Sequence, residues 1–122
     1  MTRVRLPNEN LNKYGARGVR EDGHYFDSRA EHRRYLQLKL LEQGGAISNL
    51  EVHPTFDIIY PMPDGTAKKI STYEGDFRYR DNEANCTVLE DVKRDATRTR
   101  LYRLKRQLVE AQYGIQIREV DA

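Results

Sequence analysis

Three strand-like runs, LEVHPTFDIIY, KKISTYEGDFRYR and CTVLEDVK, stand between two helix-like segments, and that order narrows the fold more than any other feature. The turn-rich stretches PMPDGTA and DNEAN separate the runs, so they are expected to form an antiparallel meander. A first helix is expected from Ser28 to Gln43, opened by the capping-box pair Ser28 and Glu31 and closed by Gly44-Gly45. Its buried stripe is read as Tyr35, Leu38 and Leu41. A second helix, from about Thr97 to Tyr113, places Leu101, Leu104, Leu108 and Ala111 on one face, with the leucines anchoring it to the sheet. Gly114 ends that helix, and Ile115 and Ile117 alternate in a last strand. Upstream, ARGVREDGHYF reads as two short extended pieces around an Asp22-Gly23 turn. The order helix, three-strand meander, helix, strand implies an α/β layer fold with a mixed sheet and a helical crossover to the last strand.

A chain of 122 residues holds one compact domain and excludes a second. The expected division is a flexible basic N-terminal arm over residues 1–12 and a single domain over 13–122. With 38% hydrophobic and 33% charged residues the chain has enough apolar side chains for a core beneath a polar surface. One cysteine, Cys86, excludes an internal disulfide, and no Cys or His spacing fits a structural zinc site. The first ten residues lack the apolar run of a signal peptide and nothing later approaches a membrane span, so a soluble cytoplasmic protein is expected. A net charge of +2 says little about partners, which leaves the argument to charge distribution.

Strand periodicity groups the charged residues. Thr72, Glu74, Asp76 and Arg78 are expected on one face of the second strand, with Tyr73, Phe77 and Tyr79 on the other. In the third strand Leu89, Asp91 and Lys93 share one face, while Val88, Glu90 and Val92 share the opposite one. If these strands are neighbours, Asp76, Asp91 and Lys93 converge near one end of the sheet, which is costly without compensation. A hard divalent cation compensates, and Mg2+ suits a few carboxylates plus water and a phosphate oxygen, with Mn2+ as a substitute. Lys93 would then orient or help deprotonate the attacking water in phosphodiester hydrolysis. A surface ion-pair ladder accounts for the same spacing equally well.

These residues resemble the signature of the PD-(D/E)xK nuclease superfamily: an acid on one strand, then on the next Asp or Glu, any residue, and Lys. Here Asp76 is followed by Asp91-Val92-Lys93. The segments KYGARGVREDGHYFDSRAEHRRY, YEGDFRYR, LEDVKRDATRTRLYRLKRQL and YGIQIREV are similar to a family of small endonuclease-like proteins of phages and prophages, over residues 13–120. The resemblance implies a restriction-endonuclease-like core and metal-dependent cleavage of DNA, on branched, Holliday-junction-like or replicative phage intermediates, in the host cytoplasm. It implies Asp76, Asp91, Lys93 and Glu31 as catalytic residues, with Asp76, Asp91 and Glu31 as metal ligands. Glu31 serves equally well as a helix cap three residues after Ser28. Gly75 stands where the superfamily has a proline, and Glu90 offers a second acid that a β-bulge would swing in to displace Asp91. His53, in VHPTF, either approaches the metal or a phosphate or, more commonly for a His before Pro, marks a strand distortion.

Between residues 94 and 106 six cations face one acid: Arg94, Arg98, Arg100, Arg103, Lys105 and Arg106 against Asp95. Arg94, Arg98, Arg103, Lys105 and Arg106 are the expected phosphate contacts, with Arg98 and Lys105 foremost, although solvated outer faces of helices are often charged. His32, Arg33 and Arg34, with Arg3, Arg5, Lys13 and Arg17, offer a second basic surface. The expected partner is DNA, with a homodimer as the candidate assembly and no membrane. The alternative is a non-catalytic nucleic-acid-binding protein that keeps the nuclease fold.

Overall fold

The computed structural model describes residues 9–11 and 17–122, with side chains from Gly18 onward except that of Asp95. Strand β1 (Glu9–Leu11) pairs antiparallel with β2 (Arg17–Glu21), which pairs with β3 (His24–Phe26). The β2–β3 turn is the expected one: Asp22 and Gly23 both have positive φ, 53° and 81°, as a two-residue hairpin requires. Residues 9–11 of the expected arm thus pair in a sheet, and its remaining residues, with Arg3, Arg5 and Lys13, lie outside the described residues.

Helix α1 (Arg29–Gln43) begins at the N-cap Ser28, whose hydroxyl accepts from the Glu31 amide at 3.1 Å. It buries Glu31, Tyr35 and Leu38. The expected continuation through Leu41 is corrected, since Leu41 is 41% exposed. Glu42 takes the next inward position instead, and its carboxylate accepts from the Leu50 amide at 3.0 Å. A backbone group that would otherwise lack a partner outranks a leucine there.

The four-stranded sheet has the order β4 (Ile47–Val52), β7 (Phe77–Asp81), β8 (Cys86–Lys93), β9 (Ile117–Asp121). Its first three strands are antiparallel and β9 runs parallel to β8, so the sheet is mixed and the last connection is a helical crossover. A two-stranded ribbon, β5 (Thr55–Pro61) with β6 (Ala67–Glu74), completes the strands.

The first two runs of the expected meander are each broken, the first at His53-Pro54 and the second at Gly75-Asp76. Register persists through both breaks: Val52 faces Phe77, Thr55 faces Glu74, His53 N–H donates to the Asp76 carbonyl and Gly75 N–H to the Pro54 carbonyl. The result is one long hairpin folded at its middle. Proline supplies the break because it lacks a ladder donor. Gly75 supplies room, since an added Cβ would lie 2.7 Å from Leu89 Cδ1. The fold corrects the expected alternation: Tyr73 does not share a face with Phe77 and Tyr79 but packs in a different cluster.

Those clusters lie on opposite faces of the sheet. Phe26, Tyr35, Leu38, Ile47, Phe77, Tyr79 and Val88 form the core under α1 and the β2–β3 hairpin. Phe56, Ile58, Tyr73, Leu89, Val109 and Ile117 form the core between sheet, ribbon and helix α2 (Arg100–Tyr113). Helix α2 starts later than expected, after a 3-10 turn at Asp95–Thr97, because Thr99 is its cap and accepts from the Tyr102 amide. Gly114 ends it in the left-handed conformation, φ 65°.

The leucine face of α2 is a second correction. Leu101, Leu104 and Leu108 are 62%, 53% and 42% exposed, and Ala111 is exposed too. Val109 is fully buried, flanked inward by Tyr102, Lys105, Arg106 and Glu110. Polar groups dock this helix: Lys105 donates to the Thr72 carbonyl, Arg106 to that of Ile117, Gln112 and Tyr113 to that of Asp57. Pairing these carbonyls, those of Thr72 and Ile117 partly buried, sets the inward face of the helix in place of leucine burial.

Candidate functional site

The folded hairpin and β8 meet where Asp76, Asp91 and Lys93 stand. Asp76 lies in the break rather than mid-strand, with its amide donating to the Glu90 carbonyl at 3.0 Å. One of its carboxylate oxygens accepts from the Val92 amide at 2.7 Å, which anchors it against the backbone between Asp91 and Lys93. The two strands of the sequence signature are therefore joined at the signature itself.

Asp91 is 1% exposed, and neither carboxylate oxygen has a hydrogen-bond partner among the described residues. Burial pushes its carboxyl up to about 6, against the downward pull of the Lys93 ammonium and the Asp76 backbone amide. Burial likewise raises Asp76 above its ordinary range, opposed by the Val92 amide and by Lys93. Lys93 is thus an electrostatic neighbour of both aspartates, and its Nζ lies 4.5 Å from the centroid of the Tyr102 ring.

Glu31 arrives from the first turn of α1. Its carboxylate does not cap the helix: Oε1 lies 2.6 Å from His53 Nε2. Burial foremost, then the Asp76 charge, pushes Glu31 up to about 7 in spite of His53. Ligand-type atoms of Glu31, His53 and Asp76 all lie within 4.8 Å of one another. His53 marks the expected strand distortion, sitting in the break with φ 55°, and its ring lies against the Glu31 carboxylate.

Glu90 is elsewhere. β8 keeps a regular register against both neighbours, so no bulge turns Glu90 toward Asp91. It is fully buried on the α1 side, where Arg34 donates to its two oxygens at 2.8 and 2.7 Å and the Tyr79 hydroxyl donates to one of them. That carboxylate has its partners, and it raises the Tyr79 hydroxyl, after burial, to about 12.

A family model described as "Protein of unknown function (DUF1064)" matches residues 11–120. The chain belongs to the DUF1064 family. No curated protein and no solved structure matches it.

In this DUF1064 chain the expected phosphate-binding cations divide into two groups. Arg98 bonds Asp121 at 2.8 Å and Glu119 at 3.4 Å, while Arg106 pairs with Glu119 at 3.1 Å and Glu110 at 3.5 Å. Lys105 is held on the Thr72 carbonyl at 3.2 Å and lines a cleft of about 250 Å3 with Glu74, Leu101 and Tyr102. Arg94 and Arg103 are exposed. Sequence reasoning missed Tyr102 and Glu119, whose side chains bond at 2.9 Å beside Lys93 and Arg106. Strand parity offered a signal for Glu119: in β9 it shares a face with Ile117, opposite Asp91 in the parallel register. Among the described residues no helix is long and apolar enough to cross a membrane.

Proposed function

We propose that this protein is a divalent-metal-dependent endodeoxyribonuclease with a restriction-endonuclease-like core of the PD-(D/E)xK type. The observation that carries the reading is the Asp91 carboxylate, buried and without a hydrogen-bond partner next to Lys93 and the anchored Asp76. A buried carboxylate without a hydrogen-bond partner is disfavoured even beside an ammonium, and a divalent cation is a partner that carboxylates from adjacent strands accept. Glu31 and Asp76, whose ligand atoms lie within 4.8 Å of each other, fit such an ion, with Asp91 the further carboxylate we assign to it from β8 and Mg2+ the hard cation their oxygens suit.

When bound, the ion supplies Lewis acidity, which activates a water and offsets charge growing on the phosphate. Asp76 is held still by the Val92 amide, so its position does not depend on side-chain freedom. Lys93, placed over Tyr102, presents an ammonium to the nucleophilic water or to the phosphate oxygens as charge develops there. Arg94, which follows directly, and Arg103 on α2 are the exposed cations along which a DNA backbone would run. Branched or replicative DNA is the substrate class that the phage-type resemblance suggests.

The test is a cleavage panel of linear, circular and four-way-junction DNA with Mg2+ or Mn2+. Cleavage that disappears in Asp76→Ala is expected. A panel left uncut in every form, with salt-sensitive binding indifferent to the metal, would instead identify a DNA-binding protein without hydrolysis.

A further inference from the structure

We infer that His53 is a direct ligand of the metal, with Glu31 and Asp76, and that its imidazole biases the site toward Mn2+ over Mg2+. The inference rests on the metal site proposed above and names a ligand, and a preference, that the acidic residues alone do not supply.

The three side chains arrive from three separate parts of the chain: α1, the break after β4, and the break after β6. Their ligand atoms nevertheless lie within 4.8 Å of one another. His53 is placed by its backbone. Its amide donates to the Asp76 carbonyl at 2.9 Å, so the two breaks of the hairpin hold the imidazole and the Asp76 carboxylate side by side. Its ring is 27% exposed and the Glu31 side chain 8%, so the imidazole stands on the solvent side of the cluster, where an ion enters.

The backbone geometry singles out this residue. Four non-glycine residues among those described have positive φ: Asp22, Asn49, His53 and Asn85. Asp22 and Asn85 lie in turns, and Asn49 lies where the β4–β7 register shifts. Asn, Asp and His all enter this region more readily than other side chains, and His53 is the one of the four that holds it within the Glu31–Asp76 cluster. Separately, the Asp91 carboxylate, on the strand whose Val92 amide anchors Asp76, is buried with no hydrogen-bond partner among the described residues.

Ligand chemistry then sets the preference. Carboxylates and water suit both Mg2+ and Mn2+, but Mg2+ sheds its hydration shell reluctantly, whereas Mn2+, a first-row transition ion at the weak end of the series, also accepts an imidazole nitrogen. A site with one imidazole among its carboxylates binds Mn2+ with an advantage that an all-oxygen site lacks. A purely structural His53–Glu31 ion pair would confer no such advantage.

The experiment uses Mn2+ as the probe on the full chain. Pulsed electron paramagnetic resonance on the Mn2+-loaded protein is expected to show coupling to an imidazole nitrogen. That coupling is expected to vanish in His53→Asn, a variant chosen because Asn tolerates positive φ and so spares the fold. Calorimetric titration should show Mn2+ affinity falling at least about tenfold in His53→Asn, the loss caused even by removing an outer-shell partner, with Mg2+ affinity changed much less. His53→Ala serves as a second variant, with circular dichroism to report its fold. Bound Mn2+ without nitrogen coupling, or an unchanged Mn2+ to Mg2+ affinity ratio in both variants, overturns the inference while leaving the metal site standing. Failure of the wild-type protein to bind Mn2+ at all overturns both.

Discussion

Glu90 and Asp91 are adjacent in β8 and equally buried, yet Arg34 grips both oxygens of Glu90 while Asp91 has no hydrogen-bond partner among the described residues. One carboxylate is built into the α1 side of the fold by its partners, and the other is buried on the α2 side beside Lys93. Loss of the Glu90 partner and loss of the Asp91 charge are therefore expected to shift stability in opposite directions.

Removing Arg34 strands a buried charge. Arg34→Ala is therefore expected to cost about 3–5 kcal/mol in urea unfolding. Asp91→Asn removes a charge whose burial outweighs the pull of Lys93 and which has no hydrogen-bond partner among the described residues, so the metal-free protein is expected to gain stability, by about 1 kcal/mol. Equal destabilisation by both variants would show that Asp91 is as well paired as Glu90.

The metal-free protein should become more stable as pH falls from 8 to 5. Glu31 rises from 4.5 to about 7 and Asp91 from 3.8 to about 6, in both cases chiefly through burial. A carboxyl raised in the folded state binds its proton more tightly there, so falling pH favours folding. The penalty is fully present above the folded values, is relieved as pH drops through about 7 and then about 6, and is absent below the unfolded values of 4.5 and 3.8. Thermal melts in chelator are expected to show Tm higher by roughly 5 °C at pH 5 than at pH 8. Millimolar Mg2+ or Mn2+, which favours the ionised forms, should flatten that slope. A chelated protein that loses stability toward pH 5 would reverse the assigned sign.

Packing on α2 predicts an inversion of what composition suggests. Val109→Ala is expected to cost about 2 kcal/mol because Val109 is fully buried among Leu89, Ile117 and the ribbon. Leu104→Ala, at a position 53% exposed, should change stability by less than about 0.5 kcal/mol. Chemical denaturation of the two variants side by side checks this directly.

The division among the cations predicts which of them meet DNA. Arg94→Ala and Arg103→Ala should each weaken binding to all DNA sequences and lower the salt slope by about 1. Arg98→Ala, which breaks contacts to Glu119 and Asp121, should leave the salt slope nearly unchanged. Fluorescence anisotropy across a salt series separates the two behaviours.

Much of this was legible in the sequence, and the losses have physical causes. Ser28, Gly114 and the Asp22-Gly23 turn were readable because each acts through its own backbone. The parity of β8 survived because no bulge interrupts it, so Asp91 and Glu90 were assigned to their faces correctly. Pro54 and Gly75 were visible, but not that they stand opposite each other across the hairpin, which turns two local irregularities into one fold. The buried face of α2 was misread because its docking depends on carbonyls supplied by Thr72 and Ile117, distant in sequence. Likewise the direct contact of His53 with Glu31 was not legible beyond their shared candidacy for the metal, since only the folded hairpin brings His53 to the first turn of α1.

The most direct test of the central claim is metal-dependent cleavage by the wild-type protein against Lys93→Ala, on supercoiled and four-way-junction DNA. The wild-type protein is expected to cut at least one of these with Mg2+ or Mn2+ and to stop in chelator, while Lys93→Ala keeps its fold and metal but loses activity by about a hundredfold or more. Cleavage at the wild-type rate by Lys93→Ala, or none by the wild-type protein with either metal, would contradict the account.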